Sequence, residues 1–275
     1  YFIEASFQKT FYKFLTSKLL LYSLMRFSLI APCYNNENEI DEFCKRVMDL
    51  VSKYFSEFEI ILVNDNSTDN TWNKINSLCK KYKNIKEINL NQNLGQHYAT
   101  FFGMFLSKGE YVTVLDADLE DDINLIETLI KNSSVEKAIF VNQKKIKNNL
   151  LSYLFWKILS LSSLKKFDPG TSNFFIAPKI FVDKLKCFGF LAFTQADLIF
   201  LNLKFITIEY KKLRNYKSKS SYNYYSLLKL ALSHLLKLNF ITIFFLKNFK
   251  INFFLKKFEK KYIKELKNFN VEISF

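Results

Sequence analysis

The sequence predicts an α/β fold with a Rossmann-like, mostly parallel sheet flanked by helices. From residue 26 onward, short runs rich in β-branched and aromatic residues alternate with longer runs of helical periodicity, which is the pattern of βαβ units. The chain has 275 residues, of which 49% are apolar, so it can bury a sizeable core. Polar clusters follow three of the predicted strands, where the loops of such a sheet carry ligand sites.

The predicted elements of the first half alternate regularly. Pro32 lacks a backbone N–H and is expected to end the first strand. Asp69 is expected to cap the second helix, and Gly95 to open the third. The predicted strands cover residues 27–31, 59–63, 85–90 and 111–115, and the predicted helices cover residues 38–54, 70–82 and 95–109.

The second half has a less regular pattern. Apolar residues at every fourth position before residue 20 predict an amphipathic helix at the start of the chain. The tail combines Leu, Ile and Phe with many lysines, which predicts one or two basic amphipathic helices over residues 225–269. Further helices are predicted at residues 125–131 and 150–164, and further strands at residues 138–141, 174–177 and 205–210.

Charge is distributed unevenly along the chain. The net formal charge is +14, yet residues 25–130 hold 10 basic and 17 acidic side chains, whereas residues 131–275 hold 27 basic and 8 acidic ones. This asymmetry predicts a metal-using site beside a surface that meets an anionic partner, with a lysine-rich solvated surface as the simpler alternative. An anionic membrane is the favoured partner, since no helix-turn-helix, RRM or zinc pattern supports nucleic acid.

Composition excludes several functional classes. The four cysteines form no CxxC pair and the chain has only two histidines, so a His/Cys zinc site and a hydrolase triad lack their parts. No GxGxxG follows the first strand, which argues against a dinucleotide-dependent oxidoreductase. The cysteine pattern predicts reduced thiols in the cytosol. The sequence predicts neither a transmembrane helix nor a signal peptide, because no long uninterrupted apolar run occurs.

Three polar clusters follow predicted strands, at residues 32–37, 64–69 and 116–118. Right-handed crossovers would bring them to one edge of the sheet, where ligands of open α/β sheets bind. Asp116 and Asp118 would send two carboxylates toward the same region, as a hard divalent cation requires when it also holds phosphate oxygens. A capped helix start is the alternative for these acids.

The order of these motifs resembles family 2 glycosyltransferases. Residues 28–37 read SLIAPCYNNE and residues 63–71 read VNDNSTDNT, followed by NLGQHYA at 93–99 and GEYVTVLDADLED at 109–121. The resemblance is close over residues 26–122 and looser beyond. Within the family, the chain is most similar to the dolichyl- and polyprenyl-phosphate sugar transferases.

The resemblance implies a GT-A fold, a UDP-, GDP- or dTDP-linked sugar donor, and Mg²⁺ or Mn²⁺ held by Asp116 and Asp118. It also implies transfer with inversion to a polyprenyl phosphate or a membrane-associated glycan, in cell-envelope polysaccharide or glycoconjugate synthesis. The implied donor-binding residues are Pro32, Tyr34, Asn35, Glu37, Asp65, Ser67, Asn93, Gly95, Gln96, Asp116, Ala117 and Asp118.

An acceptor segment is implied at residues 214–222, which read RNYKSKSSY. There the resemblance implies a catalytic Arg214, acting with the two aspartates, and acceptor binding by Arg214, Ser220 and Tyr222. Arginine and hydroxyl groups suit this role because they donate strong hydrogen bonds to phosphate oxygens. A basic surface loop is the alternative. Asp197 is a candidate general base for an alcohol acceptor, or simply a polar residue on a helix.

Several positions depart from the family pattern. Asn64, Asn66, Gln92 and Ile123 replace residues that are common in the family, and Lys217 replaces a glycine of the acceptor segment. None of the five is an implied metal ligand. We therefore expect activity to survive, with donor preference free to differ.

The sequence pattern and the resemblance together divide the chain into four parts. They are an N-terminal extension (1–24), a nucleotide-sugar-binding half (25–124), an acceptor-binding half (125–224) and a basic tail (225–275). We expect the tail to hold the protein peripherally on the cytoplasmic face of a membrane. Core packing or a contact within a homo-oligomer is the alternative role of the tail, and a catalytically silent sugar-nucleotide-binding module of a membrane complex is the alternative function.

Overall fold

A seven-stranded sheet with helices on both faces is formed by the residues that the computed structural model describes, which are 22–143, 171–186, 198 and 203–210. The strand order is β3-β2-β1-β4-β6-β5-β7, and only β6 runs against the others. The strands are β1 (Arg26–Cys33), β2 (Glu57–Asn64), β3 (Ile85–Asn89), β4 (Tyr111–Val114), β5 (Lys137–Gln143), β6 (Thr171–Pro178) and β7 (Lys204–Tyr210). The helices are α1 (Ile40–Val51), α2 (Thr71–Lys81), α3 (Gln96–Leu106), α4 (Leu125–Asn132) and α5 (Lys179–Lys186).

Both faces of the sheet are buried, which explains why its central strands are almost continuously apolar. One core lies between the sheet and α1, α2 and α4, and includes Leu29 of β1 and Phe43 of α1. The other lies against α3 and α5 and includes Ile30 of β1 and Phe102 of α3. Neighbouring residues of β1 thus serve opposite cores, as the alternation of side chains along a strand requires.

The predicted α/β class and the mostly parallel sheet are confirmed, with element ends shifted by a few residues. The prediction that Pro32 ends β1 is wrong, since β1 continues to Cys33. The backbone oxygen of Ile30 accepts a hydrogen bond from the Leu115 N–H at 3.1 Å. The backbone N–H and C=O groups of even-numbered residues in β1 therefore point toward β4. Because β4 ends at Val114, opposite Ile30, the missing N–H of Pro32 costs no ladder hydrogen bond.

The start of α2 differs slightly from the predicted cap. The helix begins at Thr71, and the Asp69 carboxylate accepts the Thr71 N–H at 3.0 Å, two residues before the first helical residue. The same carboxylate accepts the Glu37 N–H at 3.2 Å. Asp69 therefore stabilises the helix start and also links it to the loop after β1.

Some predicted segments fall outside the described residues. These are the helix at 150–164, the tail and nearly all of the N-terminal extension. Tyr22, at the end of that predicted extension, is buried and donates its hydroxyl hydrogen to the oxygen of Ile130 at 2.7 Å. Within the described part of the chain, no helix combines the length and hydrophobicity that crossing a bilayer requires.

A buried hydroxyl on β4 offers a test of the packing. Thr113 is fully buried, and its hydroxyl makes no hydrogen bond to any described residue. We expect Thr113→Val to stabilise the protein by about 1 kcal/mol, because a methyl group of the same shape removes the cost of the buried polar group. The midpoint of urea unfolding measures the change, with Thr113→Ser as a control that keeps the hydroxyl and loses the methyl. A lower midpoint in Thr113→Val would mean that the hydroxyl has a partner.

Candidate active site

The carboxyl ends of β2, β1 and β4 lie side by side, because these strands are neighbours and parallel. The three polar clusters that follow them therefore meet at one edge of the sheet, as the sequence predicted from crossover geometry. Two further segments reach this edge, the turn after β3 that leads into α3 and the end of β7.

Reciprocal hydrogen bonds join the loops after β1 and β2. The N–H of Thr68 donates to Asn35 Oδ1 at 2.9 Å, and the N–H of Asn35 donates to Ser67 Oγ at 3.1 Å. Deeper in the structure, the N–H of Asn36 donates to Thr71 Oγ1 at 2.8 Å. The two loops therefore form one unit rather than two independent flaps.

Left-handed backbone marks each of these loops. Asn35 and Asn66 both have φ of 55°, and each lies two residues beyond the end of its strand, β1 and β2 respectively. Asparagine is one of the few residues other than glycine that adopts this conformation readily. The sharp turns after the two strands thus occur at asparagines, the residue type that accommodates this backbone conformation.

Asp65 holds the turn that leads into α3. Its two carboxylate oxygens accept the N–H groups of Leu94 and Gly95, each at 2.8 Å. Gly95 has φ of 90°, which side chains rarely permit, so the turn requires glycine there. Burial raises the pKa of Asp65 above its ordinary value, and the two hydrogen bonds oppose that rise by favouring the carboxylate.

The first residue of α3 reaches the loop after β4. Nε2 of Gln96 donates to Oδ1 of Asp116 in a short hydrogen bond. Asp65 is therefore connected to Asp116 through the turn at Leu94 and Gly95. Asp65 and Asp116, two of the three aspartates that the sequence assigned to the donor site, therefore belong to one network, at the edge where β2 and β4 end.

We call residues 116–122 the acidic loop, since five of its seven residues are Asp or Glu. Leu119 has φ of 57°, an unusual value for a branched aliphatic residue, and Asp118 Oδ1 accepts the Glu120 N–H at 3.0 Å. At the far end of the loop, the Tyr210 hydroxyl donates to Asp121 Oδ1 in a short hydrogen bond. Burial and this contact with Asp121 raise the pKa of Tyr210, which keeps the hydroxyl protonated as a donor.

The predicted donor-binding residues differ in accessibility. Tyr34 is 47% exposed and Asn35 and Asn93 are also exposed, whereas Pro32 is buried. Ala117 is 1% exposed and packs in the core, so only its backbone can face a ligand. The Glu37 carboxylate accepts the Asn70 N–H at 2.8 Å, next to the start of α2.

The predicted acceptor residues fall in a part of the chain that the structure does not describe. Arg214, Ser220 and Tyr222 lie outside the described residues, as does Asp197. Tyr210 was not among the predicted site residues. It ends a predicted strand, and the rule that ligands gather at carboxyl ends of parallel strands could have identified it.

The chemistry of the acidic loop fits a divalent cation. Asp116 and Asp118 supply carboxylate oxygens, the ligands that Mg²⁺ and Mn²⁺ prefer, and both are partly exposed. Among the described residues, no group of three or more His, Cys, Asp or Glu side chains is arranged to hold a metal. Two carboxylates suit a cation that takes its remaining ligands from phosphate oxygens and water, as Mg²⁺ commonly does.

Known proteins are similar to this chain in sequence. The chain is 26% identical over 165 residues to an uncharacterized glycosyltransferase of Synechocystis, covering 58% of this chain and 52% of the relative. It is 25% identical over 216 residues to the bactoprenol glucosyl transferase of Shigella phage SfV, covering 76% of this chain and 70% of the relative. The chain thus spans about half the length of the first relative. The second likeness confirms the resemblance to polyprenyl-phosphate sugar transferases.

A solved structure has the same architecture. It is glucosyl-3-phosphoglycerate synthase from Mycobacterium tuberculosis in complex with Mn²⁺, UDP and phosphoglyceric acid, with a TM-score of 0.54 at 14% identity, covering 80% of this chain and 81% of that one. This likeness confirms the predicted GT-A fold. The family model described as glycosyl transferase family 2 matches residues 28–190, which is more than half of the chain. The chain therefore belongs to glycosyl transferase family 2.

Proposed function

We propose that the protein is a metal-dependent inverting glycosyltransferase that moves a sugar from a nucleotide donor to a polyprenyl phosphate or a membrane-associated glycan. The observation that carries the proposal is the network that links Asp65 to Asp116 through the turn before α3 and Gln96. It joins the two aspartates at the sheet edge where α/β folds bind nucleotides. The bactoprenol glucosyl transferase likeness supports the choice of acceptor.

In the proposed reaction, an oxygen of the acceptor phosphate forms a bond to the anomeric carbon of the sugar. The bond from that carbon to the nucleoside diphosphate breaks at the same time, and attack from the opposite face inverts the anomeric configuration. A phosphate acceptor is already anionic and needs no general base, whereas an alcohol acceptor would need one. A bound divalent cation would neutralise charge on the departing diphosphate.

Particular residues of the chain are assigned to each part of this reaction. Asp116 and Asp118 would hold the cation, and the exposed ring of Tyr34 would border the nucleotide. We assign the donor phosphates to the turn around Gly95, because a glycine backbone lets a ligand approach closely. Arg214 follows Tyr210 by four residues in the chain, and Tyr210 contacts Asp121. This proximity along the chain supports a role for Arg214 near the donor diphosphate.

The wider organisation is also a proposal. We assign donor binding to residues 25–124, acceptor binding to residues 125–224 with Ser220 and Tyr222, and membrane contact to the basic tail at 225–275. The support for the tail is its sequence, in which lysines alternate with Leu, Ile and Phe, as in helices that lie on anionic membranes. A cytoplasmic membrane face agrees with the free thiols of Cys33, Cys44 and Cys79.

Ligand-dependent melting tests the proposal. We expect one member of a panel of UDP-, GDP- and dTDP-sugars, at about 100 times its Kd, to raise Tm by roughly 5–10 °C in the presence of Mn²⁺. The physical reason is that a ligand that binds only the folded state stabilises it by about 2.7 kcal/mol at that concentration. The same donor without Mn²⁺ is the matched control, and it should give a much smaller rise.

Two outcomes would contradict parts of the proposal. No rise in Tm with any donor would rule out a nucleotide-sugar site. A large rise together with no release of nucleoside diphosphate, with either a polyprenyl phosphate or a glycan acceptor, would favour the silent binding module instead.

A further inference from the structure

We propose that Gln96 and Tyr210 are positioning residues that hold the acidic loop at its two ends, so that Asp116 and Asp118 keep the geometry that a divalent cation needs. The inference rests on the proposed function in one respect, which is that the loop binds a divalent cation. The way in which the loop is held is given by the hydrogen bonds from Gln96 to Asp116 and from Tyr210 to Asp121.

The two hydrogen bonds reach the loop from distant parts of the chain. Gln96 lies 20 residues before Asp116, and Tyr210 lies 89 residues after Asp121. One bond fixes the first residue of the loop and the other fixes the sixth. A loop held near both ends has far fewer conformations open to it than a loop joined only through its own backbone.

The loop needs such support because its own conformation is costly. Leu119 has φ of 57°, a left-handed backbone conformation that a leucine adopts only when its surroundings enforce it. The five carboxylates among its seven residues also repel one another. Both effects favour rearrangement of an unsupported loop. Removing either contact should therefore shift the carboxylates of Asp116 and Asp118.

Both supports are themselves held rigidly. The turn before Gln96 is fixed by the two hydrogen bonds of Asp65, and buried residues of α3 share a core with residues of the sheet. A Cβ added at Gly103 of α3 would lie 2.4 Å from Cγ2 of Ile30 in β1, so the helix backbone packs directly against side chains of the sheet at this point. On the other side, Tyr210 ends β7 and its ring packs against the core.

Small displacements matter at such a site. A shift of about 1 Å in a catalytic group can lower a rate about 100-fold, and metal ligands must hold similarly narrow geometry. Gln96 and Tyr210 act on the cation only through the loop. Their loss should therefore weaken cation binding and lower kcat more than it raises KM for the donor.

The test compares Tyr210→Phe and Gln96→Ala with Tyr54→Phe in the full chain. Tyr54 is a matched control, because its hydroxyl also donates to a carboxylate, Glu127 Oε1 at 2.6 Å, and Glu127 lies on α4, outside the acidic loop. Hydrogen exchange of the loop amides is measured without ligand. Mn²⁺ binding is measured by water-proton relaxation in the presence of UDP, GDP or dTDP, and nucleoside diphosphate release gives kcat and KM.

We expect each of the two loop variants to speed exchange of the loop amides about fivefold, and to weaken Mn²⁺ binding by a similar factor. This corresponds to about 1 kcal/mol, the typical net value of one hydrogen bond. Tyr54→Phe should leave both quantities at their wild-type values. The inference would be overturned if Tyr210→Phe and Gln96→Ala had the same loop exchange and the same Mn²⁺ affinity as Tyr54→Phe.

Failure of the proposed function is recognised separately. It would appear as a wild-type protein that binds no Mn²⁺ with any of the three diphosphates. In that case hydrogen exchange alone decides the positioning inference, since it requires no ligand: faster exchange in both loop variants supports it, and unchanged exchange overturns it.

Discussion

Asp118→Asn is expected to remove at least about 99% of metal-dependent sugar transfer while leaving the fold intact. Asparagine has the shape of aspartate, and its amide oxygen can still accept the Glu120 N–H that Asp118 accepts at 3.0 Å. It lacks the negative charge that a divalent cation requires. Loss of one such electrostatic contact typically lowers kcat by about 100-fold to 1,000-fold. Release of nucleoside diphosphate at saturating Mn²⁺ measures the effect.

Asp41→Asn is the matched control for this variant. Asp41 lies on α1 and pairs with Lys74 at 2.9 Å, in an exposed ion pair that contributes little to stability. The same chemical change there should leave both kcat and Tm close to their wild-type values. If Asp118→Asn kept more than a tenth of the wild-type rate, Asp118 would not be a metal ligand.

Gly109→Ala is expected to cost about 3 kcal/mol or more of the free energy of unfolding. A Cβ at this position would lie 2.5 Å from the backbone nitrogen of Ser28 and 2.7 Å from the carbonyl carbon of Phe27. These are backbone atoms of a central strand, so no change of rotamer relieves the clash. At about 2–4 °C per kcal/mol, Tm should fall by roughly 6–12 °C or more.

The turn at Gly109 also completes a buried polar cluster. Its N–H donates to Ser28 Oγ at 2.8 Å, and Ser28 donates to the Glu59 carboxylate at 2.6 Å. Burial by itself would raise the pKa of Glu59, but hydrogen bonds from Lys86, Ser28 and the Lys108 N–H lower it overall. Displacement of Gly109 would disturb these partners and add to the cost. Lys108→Ala is the control, because Lys108 is an exposed neighbour and the variant keeps the backbone N–H. If Gly109→Ala melted within about 2 °C of Lys108→Ala, the expected steric clash at Gly109 would be refuted.

The sheet and its polar edge could be predicted from the sequence because both depend on local patterns. Asp116 and Asp118 directly follow a buried β-rich run, and Asn64 and Asp65 follow another. Strand periodicity and the right-handed crossover rule then suffice to bring them to one edge. The αL asparagines that shape the loops are also local signals, since asparagine tolerates positive φ.

Long-range contacts could not be predicted in this way. Nothing in the periodicity of β6 indicates that it inserts, antiparallel, between β4 and β5. The hydrogen bond between Tyr210 and Asp121 depends on that strand order and joins residues 89 positions apart. The contact between Gln96 and Asp116 depends on the direction of α3, which Asp65 sets through backbone hydrogen bonds that a sequence pattern does not record.

The interleaved strand order has a practical consequence for expression. Residues on both sides of position 124 contribute to one continuous sheet, since β6 pairs with β4 on one side and β5 on the other. A fragment that ends at this position would lack β6, and the edge of β4 that β6 normally covers would have no hydrogen-bonding partner. Exposed strand edges of this kind pair with other chains, and the protein aggregates. Trimmed versions made for crystallisation or assays should therefore retain everything up to the close of β7.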